Sequence, residues 1–127
     1  MAGKFVISTA KNGEFTFNLK ASNGEVILTA SETYSTQSAC ENGIASVKKN
    51  AGAPVEDQTR DEKLAHPKFE LYKDKGGEFR FRMKAANGQI IGKSEAYKAK
   101  ASARKGIASI ARNAPDAAVL VINPEDK

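Results

Sequence analysis

Two stretches of the chain alternate between apolar and polar positions with a period of two. Phe5, Ile7, Phe15, Phe17 and Leu19 form the first set, and Phe69, Leu71, Phe79, Phe81 and Met83 the second. This is the pattern of half-buried strands. A three-residue loop at Lys11-Asn12-Gly13, with the glycine left-handed, places Phe5 opposite Leu19 and Ile7 opposite Phe17. The same loop at Lys75-Gly76-Gly77 pairs Phe69 with Met83 and Leu71 with Phe81. A two-residue loop would set Glu70 against Met83 and Tyr72 against Phe81, so the side-chain pattern selects the longer turn. Asn23-Gly24 and Asn87-Gly88 are hairpin signals leading into third strands, "VILTAS" and "IIGKS". There two registers stay open: a two-residue turn directs Ile27 and Ile91 away from the Phe face, and a three-residue turn brings them onto it.

After Tyr34 and Tyr97 the period becomes helical. Cys40, Gly43, Ile44 and Val47 form one stripe, and Ala103, Gly106, Ile107 and Ile110 form its counterpart. Glycine inside a helix costs up to about 1 kcal/mol relative to alanine, so Gly43 and Gly106 predict close approach of helix and sheet. Asn50 and Asn113 suit the left-handed position that ends a helix, with Pro54 and Pro115 blocking continuation. "AAVLVI" at 117–122 reads as a strand, and "PVEDQT" at 54–59 carries a fainter strand pattern. The acidic stretch "EDQTRDEKLAH" reads as a solvated connector.

These elements occur twice because the chain repeats itself. Residues 4–51 align with 68–114, with one extra residue in the first copy between Gly24 and Ser31, and 21 of 47 aligned pairs are identical. Self-similarity at so long a period indicates a duplicated supersecondary unit. The predicted fold is a two-layer α+β domain spanning 1–127: a first repeat (1–60), a connector (61–67) and a second repeat (68–123). The two build one mainly antiparallel sheet, with both helices on its Phe-rich face and a pseudo-twofold axis between them. Phe15, Phe17, Phe79 and Phe81 are expected beneath Ile44, Val47, Ile107 and Ile110.

The segments "KF", "GEFTFNLKASNGEVIL", "SETY" and "ENGIASVKKN", with their second-copy counterparts, resemble the tandem repeat of the YegP-like bacterial proteins. The resemblance covers nearly the whole chain. It implies strand-strand-strand-helix-strand units sharing one sheet, with terminal strands exchanged between units. It brings no activity and no catalytic residues to carry over.

Composition narrows the chemistry. With 40% hydrophobic and 28% charged residues the chain is of ordinary globular type. No run approaches the roughly 20 apolar residues of a membrane span, and "MAGKFVIS" lacks a secretory pattern, so a cytoplasmic location without membrane association is expected. One cysteine, Cys40, and one histidine, His66, leave no internal disulfide and no Cys/His zinc set. Cys40 falls on the buried helix stripe as a small packing residue, and His66 in the connector. No cofactor or metal is expected.

The net charge of +5 is local: residues 68–114 hold 12 Lys and Arg against 4 Asp and Glu, whereas residues 1–53 hold 5 against 4. The predicted register turns Arg80, Arg82 and Lys84 away from the Phe face beside Tyr72, a combination that could grip single-stranded nucleic acid through phosphates and stacking. The same register sets Glu70 opposite Arg82 and Tyr72 opposite Arg80, which favours internal pairing and a solvated basic surface. "SETY" at 31–34 and "SEAY" at 94–97 place Glu32 with Tyr34 and Glu95 with Tyr97 at each strand-to-helix junction. A carboxylate base and a phenolic donor could serve catalysis. Without a histidine, a second carboxylate or a phosphate loop beside them, closure of the core edge is the preferred role, and "GKS" at 92–94 lacks the spacing of a P-loop. The function expected is a small, monomeric, non-catalytic binding or interaction module for a protein partner or a small ligand. A nucleic-acid-binding protein is the alternative, and an enzyme using the Ser-Glu-x-Tyr junctions the third.

Overall fold

The computed structural model describes residues 3–122. Six strands belong to the two predicted hairpin triplets: β1 (Lys4–Thr9), β2 (Phe15–Lys20) and β3 (Val26–Ala30), then β5 (Lys68–Lys73), β6 (Phe79–Lys84) and β7 (Ile90–Lys93). Each triplet is followed by a helix, α1 (Gln37–Asn50) or α2 (Lys100–Asn113), and a short strand, β4 (Val55–Asp57) or β8 (Ala118–Val121). All eight strands form one mixed sheet in the order β4-β5-β6-β7-β3-β2-β1-β8. Its ladders are antiparallel except at the two edges, where β4 runs parallel to β5 and β8 parallel to β1. The terminal strand of each repeat therefore lies on the other repeat's triplet, as the resemblance implies. The second repeat's last predicted residue, Asn123, lies outside the described residues.

The outer hairpins adopt the predicted register, with Phe5 opposite Leu19, Ile7 opposite Phe17, Phe69 opposite Met83 and Leu71 opposite Phe81. Gly13 and Gly77 are left-handed, at φ 85° each. The undecided inner hairpins take three-residue turns: Ala21 N–H donates to Glu25 O at 2.8 Å and Ala85 N–H to Gln89 O at 3.0 Å. A register shift follows in each, after which Leu19 faces Leu28 and Met83 faces Gly92. Such a bulge inserts an extra residue into one strand. It leaves both Ile27 and Leu28 buried.

The repeats meet where Thr29 pairs with Lys93 and Ala30 with Gly92. Leu28 and Gly92 are equivalent residues, and a Cβ on Gly92 would lie 2.8 Å from the Leu28 side chain, so this position admits one leucine. The extra residue of the first copy falls here: β3 continues to Ala30, whereas in the second copy Ser94 Oγ accepts the Phe81 N–H at 2.9 Å.

The core lies between the helices and the face carrying Phe5, Phe17, Phe69 and Phe81, all fully buried, with Ile44, Val47, Ile107 and Ile110 from the helices. Phe15 and Phe79 are only partly buried, contrary to expectation, because they sit at strand ends where the chain bridges to Tyr34 and Tyr97. Asn50 and Asn113 are not left-handed. Each stays helical, its side-chain amide donating back along the helix to the carbonyl four residues earlier, Ser46 O at 2.9 Å and Ser109 O at 2.8 Å, and the residues that follow, Ala51 and Ala114, are right-handed too. No described helix is long and apolar enough to cross a membrane.

Candidate functional site

The two junction tyrosines are built alike. Phe15 and Tyr34 exchange both backbone hydrogen bonds at 2.7 Å, as do Phe79 and Tyr97. The Tyr34 ring stacks near Phe17 at 6.3 Å between centroids and that of Tyr97 near Phe81 at 6.2 Å. This is the separation at which offset aromatic pairs attract. Each phenol then meets a helical glycine: a Cβ on Gly43 would lie 2.5 Å from Tyr34 Oη, and one on Gly106 2.8 Å from Tyr97 Oη. The glycines are in the helices because the tyrosines fill that space. Burial raises the Tyr34 hydroxyl pKa, helped by the nearby Cys40 and Glu32; burial and the nearby Glu95 and Glu25 do the same for Tyr97. Both phenols are therefore protonated donors at neutral pH. Ser31 Oγ donates to Ile90 O at 2.7 Å and Ser94 Oγ to Glu95 O at 2.8 Å, so the junction serines satisfy backbone groups.

Beside each tyrosine lies a cleft made by both repeats. The first, about 540 Å³, has Glu32, Tyr34 and Asn42 on one wall and Asn87, Gln89 and Ile90 from the β6–β7 hairpin on the other. The second, about 360 Å³, sets Glu95, Tyr97 and Lys105 against Asn23, Glu25 and Val26 of the β2–β3 hairpin. The site residues Glu32 with Tyr34, and Glu95 with Tyr97, are thus brought together at clefts that the sequence did not reveal. Their signal was the spacing from each tyrosine to a glycine inside the following helix.

The other predicted site lies on the opposite sheet face. One cross-strand row runs over all eight strands there: Leu120, Val6, Asn18, Thr29, Lys93, Arg82, Glu70 and Glu56. Apart from the exposed Lys93, its basic part is paired internally. Glu70, 3% exposed, accepts from Arg82 Nε and lies 3.2 Å from both Lys68 Nζ and Lys84 Nζ. Arg80 Nε is 2.8 Å from Asp74, and the guanidinium over the Tyr72 ring belongs to Arg82, 4.6 Å from the centroid, rather than to Arg80. The bulk of a cross-strand arginine reaches the diagonal neighbour as readily as the direct one. Tyr72, Arg80, Arg82 and Lys84 are therefore neighbours, each already engaged by another side chain.

The strand β4 holds the acids that complete this network. Glu56 and Asp57, expected in solvent, are 2% and 0% exposed. Glu56 accepts from Lys68 Nζ at 2.7 Å and from the Leu64 N–H at 2.6 Å. Asp57 accepts from Lys100 Nζ at 3.1 Å and Arg104 Nη2 at 3.0 Å, anchoring the first turn of α2, whose cap residue Ala99 offers no side-chain acceptor. A carboxylate at a helix N-terminus also opposes the macrodipole favourably. Hydrogen bonds from Lys68 and Gln58 hold the Glu56 carboxyl down to about 2 against the effect of burial. Burial alone would raise that of Asp57, but hydrogen bonds from Thr59, Lys100 and Arg104 keep it at about 2. The sequence signal for these partners was the excess of cations over acids in the second repeat.

Cys40 is fully buried, and burial raises its thiol to about 11, as befits a packing residue. His66 is exposed in the connector.

The repeat and the exchanged edge strands match the family model described as domain of unknown function DUF1508, at residues 10–57 and again at 74–120. The chain belongs to this family. Among its relatives, UPF0339 protein YegP of Yersinia pestis is 45% identical over 111 residues, 87% of this chain and 88% of the relative. UPF0339 protein YegP of Escherichia coli K12 is 42% identical over 116 residues, 89% of this chain and 91% of the relative. The solution structure of the E. coli protein of unknown function yegP superposes with a TM-score of 0.77 at 39% identity, covering 95% of this chain and 93% of that one. That of UPF0339 protein SO3888 from Shewanella oneidensis gives 0.78 at 36%, covering 95% and 92%. Both neighbours share the fold of this chain, and neither name carries an activity.

Proposed function

We propose that this DUF1508 chain is a non-catalytic binding module that engages a protein partner through its two tyrosine clefts. The observation that carries the proposal is the duplication of the cleft itself: each is walled by one repeat's junction and the other repeat's hairpin, so it forms only in the assembled fold. Two such clefts related by the repeat allow one partner to be held at two points, which raises affinity without new contacts. Each cleft offers a protonated phenol, a junction carboxylate and at least one side-chain amide, with Glu25 as a further carboxylate in the second, a set suited to hydrogen bonding. A cytoplasmic location is part of the proposal and agrees with the buried free thiol of Cys40.

The test is capture from cell extract by the wild-type chain and by Asn42→Trp with Lys105→Trp, which fill the clefts from exposed helix positions, each with and without nuclease. The expected result is a captured protein that resists nuclease and is lost with the filled clefts. Capture that is unaffected by the tryptophans, or abolished by nuclease, would refute it.

A further inference from the structure

Among the described residues, the edge strand β8 has one unpaired side. Ile122 N–H donates to Ile7 O at 2.8 Å, and Leu120 lies opposite Val6 in the parallel ladder. Strand alternation then turns the N–H and C=O groups of Val119 and Val121 outward. The side chains are bare as well: Val119, Leu120, Val121 and Ile122 are 39–47% exposed. Edge strands are normally blunted by charge, proline, a bulge or a covering segment. β8 contains no charged residue and no proline, and it pairs with β1 without a bulge.

We infer that β8 is a self-association edge, pairing antiparallel with β8 of a second copy of this chain about a twofold axis at Leu120. The sequence Val119-Leu120-Val121 reads the same in both directions. Antiparallel pairing about Leu120 therefore sets each outward-facing valine against a valine of the second copy as a hydrogen-bonded pair. The two Leu120 side chains meet at the closer, non-hydrogen-bonded position. Electrostatics permits the approach, because the surplus of cations lies in residues 68–114 and the open-face neighbours of Leu120 in the row are Val6 and Asn18. Lys4 pairs with Ala118, which would face Ile122 of the second copy, so the described part of this pairing sets no Lys4 against its counterpart.

The opposite edge limits the assembly to two chains. β4 is three residues long, and Glu56, Asp57 and the turn Gln58–Arg60 close it with charged groups. An isologous contact at one edge with the other blocked gives a closed dimer rather than a filament. Pairing so short buries less than the roughly 1,200 Å² of a stable interface, so the dimer exchanges with monomer.

Sedimentation equilibrium of the full chain across a range from about 10 μM to about 1 mM, the span expected for a weak complex, should show the average mass rising towards the dimer and levelling there. Leu120→Lys should hold the chain at the monomer mass, since two ammonium groups would meet at the axis. Val121→Pro removes an outward N–H without touching the β1 ladder, and proline is tolerated on such an edge. It should weaken dimerisation at least tenfold with an unchanged urea midpoint, and it stands as the independent test where Leu120→Lys unfolds the chain. A monomer at every concentration, a dimer that survives both variants, or growth beyond two chains would each overturn the assignment.

Discussion

The two edges of the sheet occupy equivalent places in a duplicated fold and are held by opposite physics. β4 lies on β5 as β8 lies on β1, both parallel, with Val55 opposite Phe69 as Val119 is opposite Phe5. From there the chemistry parts. Glu56 and Asp57 correspond to Leu120 and Val121, Glu70 to Val6, and Arg82 to Asn18. On the helices Lys100 and Arg104 correspond to Gln37 and Glu41. One edge is a buried network of carboxylates and cations, the other a neutral apolar ribbon. The core beneath is the same on both sides, with edge-to-face pairs Phe5–Phe17 and Phe69–Phe81 each at 6.0 Å. Duplication therefore kept the layer where shape is constrained from all sides, and the edges were free to differ, since a strand there needs only one paired side.

The core comparison carries the largest effect. Phe17→Ala and Phe81→Ala should each cost about 3 to 5 kcal/mol, as truncation of a fully buried phenylalanine does. The two values should agree within about 1 kcal/mol, given equal burial and equivalent aromatic neighbours. Urea denaturation of each variant is the measurement. A midpoint near wild type for either one would mean that the halves do not share a common core.

At the edges the halves should separate. Asp57→Ala removes the acceptor for Lys100 and Arg104 and should cost about 2 kcal/mol, moderated because both cations can turn to solvent. The equivalent Val121→Ala removes a half-exposed side chain and should cost less than about 1 kcal/mol. The ionic edge also predicts a pH dependence. The folded-state carboxyls of Glu56 and Asp57 titrate at about 2, below their ordinary range near 4. The unfolded chain thus binds more protons than the folded one in that interval. The stability these groups supply is complete above about pH 5 and is lost as the pH falls towards 2. Hydrogen exchange should accordingly show the β4–β5 amides losing protection on acidification before those of β1–β8. Simultaneous loss at both edges would mean that the network is not what holds β4.

How much of this was legible follows from which signals are local. The registers of Phe5 with Leu19 and Phe69 with Met83 could be read because alternation and a left-handed glycine constrain the same turn independently. Gly43 and Gly106 announced a close approach, although only the structure shows that tyrosine phenols occupy the space. Glu56 and Asp57 were misread because a polar run looks the same whether water or a cation satisfies it. Their partners Lys68, Lys100 and Arg104 come from other elements, and the parallel pairing of a three-residue strand leaves almost no periodicity to detect. The clefts likewise join the junction of one repeat to a hairpin of the other, a contact that no window of sequence contains. Arg82 over Tyr72 was missed for a smaller reason: register fixes which residues are opposite, while the reach of an arginine spans the diagonal as well.

The smallest expected effect concerns the basic face and separates a charge surplus from a charge available to a ligand. Lys68, Arg80, Arg82 and Lys84 each stand on this face within 3.2 Å of a carboxylate oxygen, and Lys93, beside Arg82 in the same row, is the exposed cation of the second repeat there that makes no ion pair among the described residues. A phosphate would have to displace Glu70 or Asp74 to reach the paired cations, and the ring of Tyr72 is covered by Arg82. Dedicated single-strand sites combine free cations with several open aromatic rings. The first repeat offers no comparison site, because Thr16, Asn18 and Ser8 stand at the positions of Arg80, Arg82 and Tyr72. Affinity for a mixed-sequence single strand should therefore be weak near about 150 mM salt, where screening acts within about 8 Å. It should change less than about twofold when Arg80 and Lys84 become alanine, since these residues contribute few free charges. Fluorescence anisotropy decides the matter: micromolar or tighter binding that falls steeply with salt and is lost in the double variant would show that nucleic acid outcompetes the internal carboxylates.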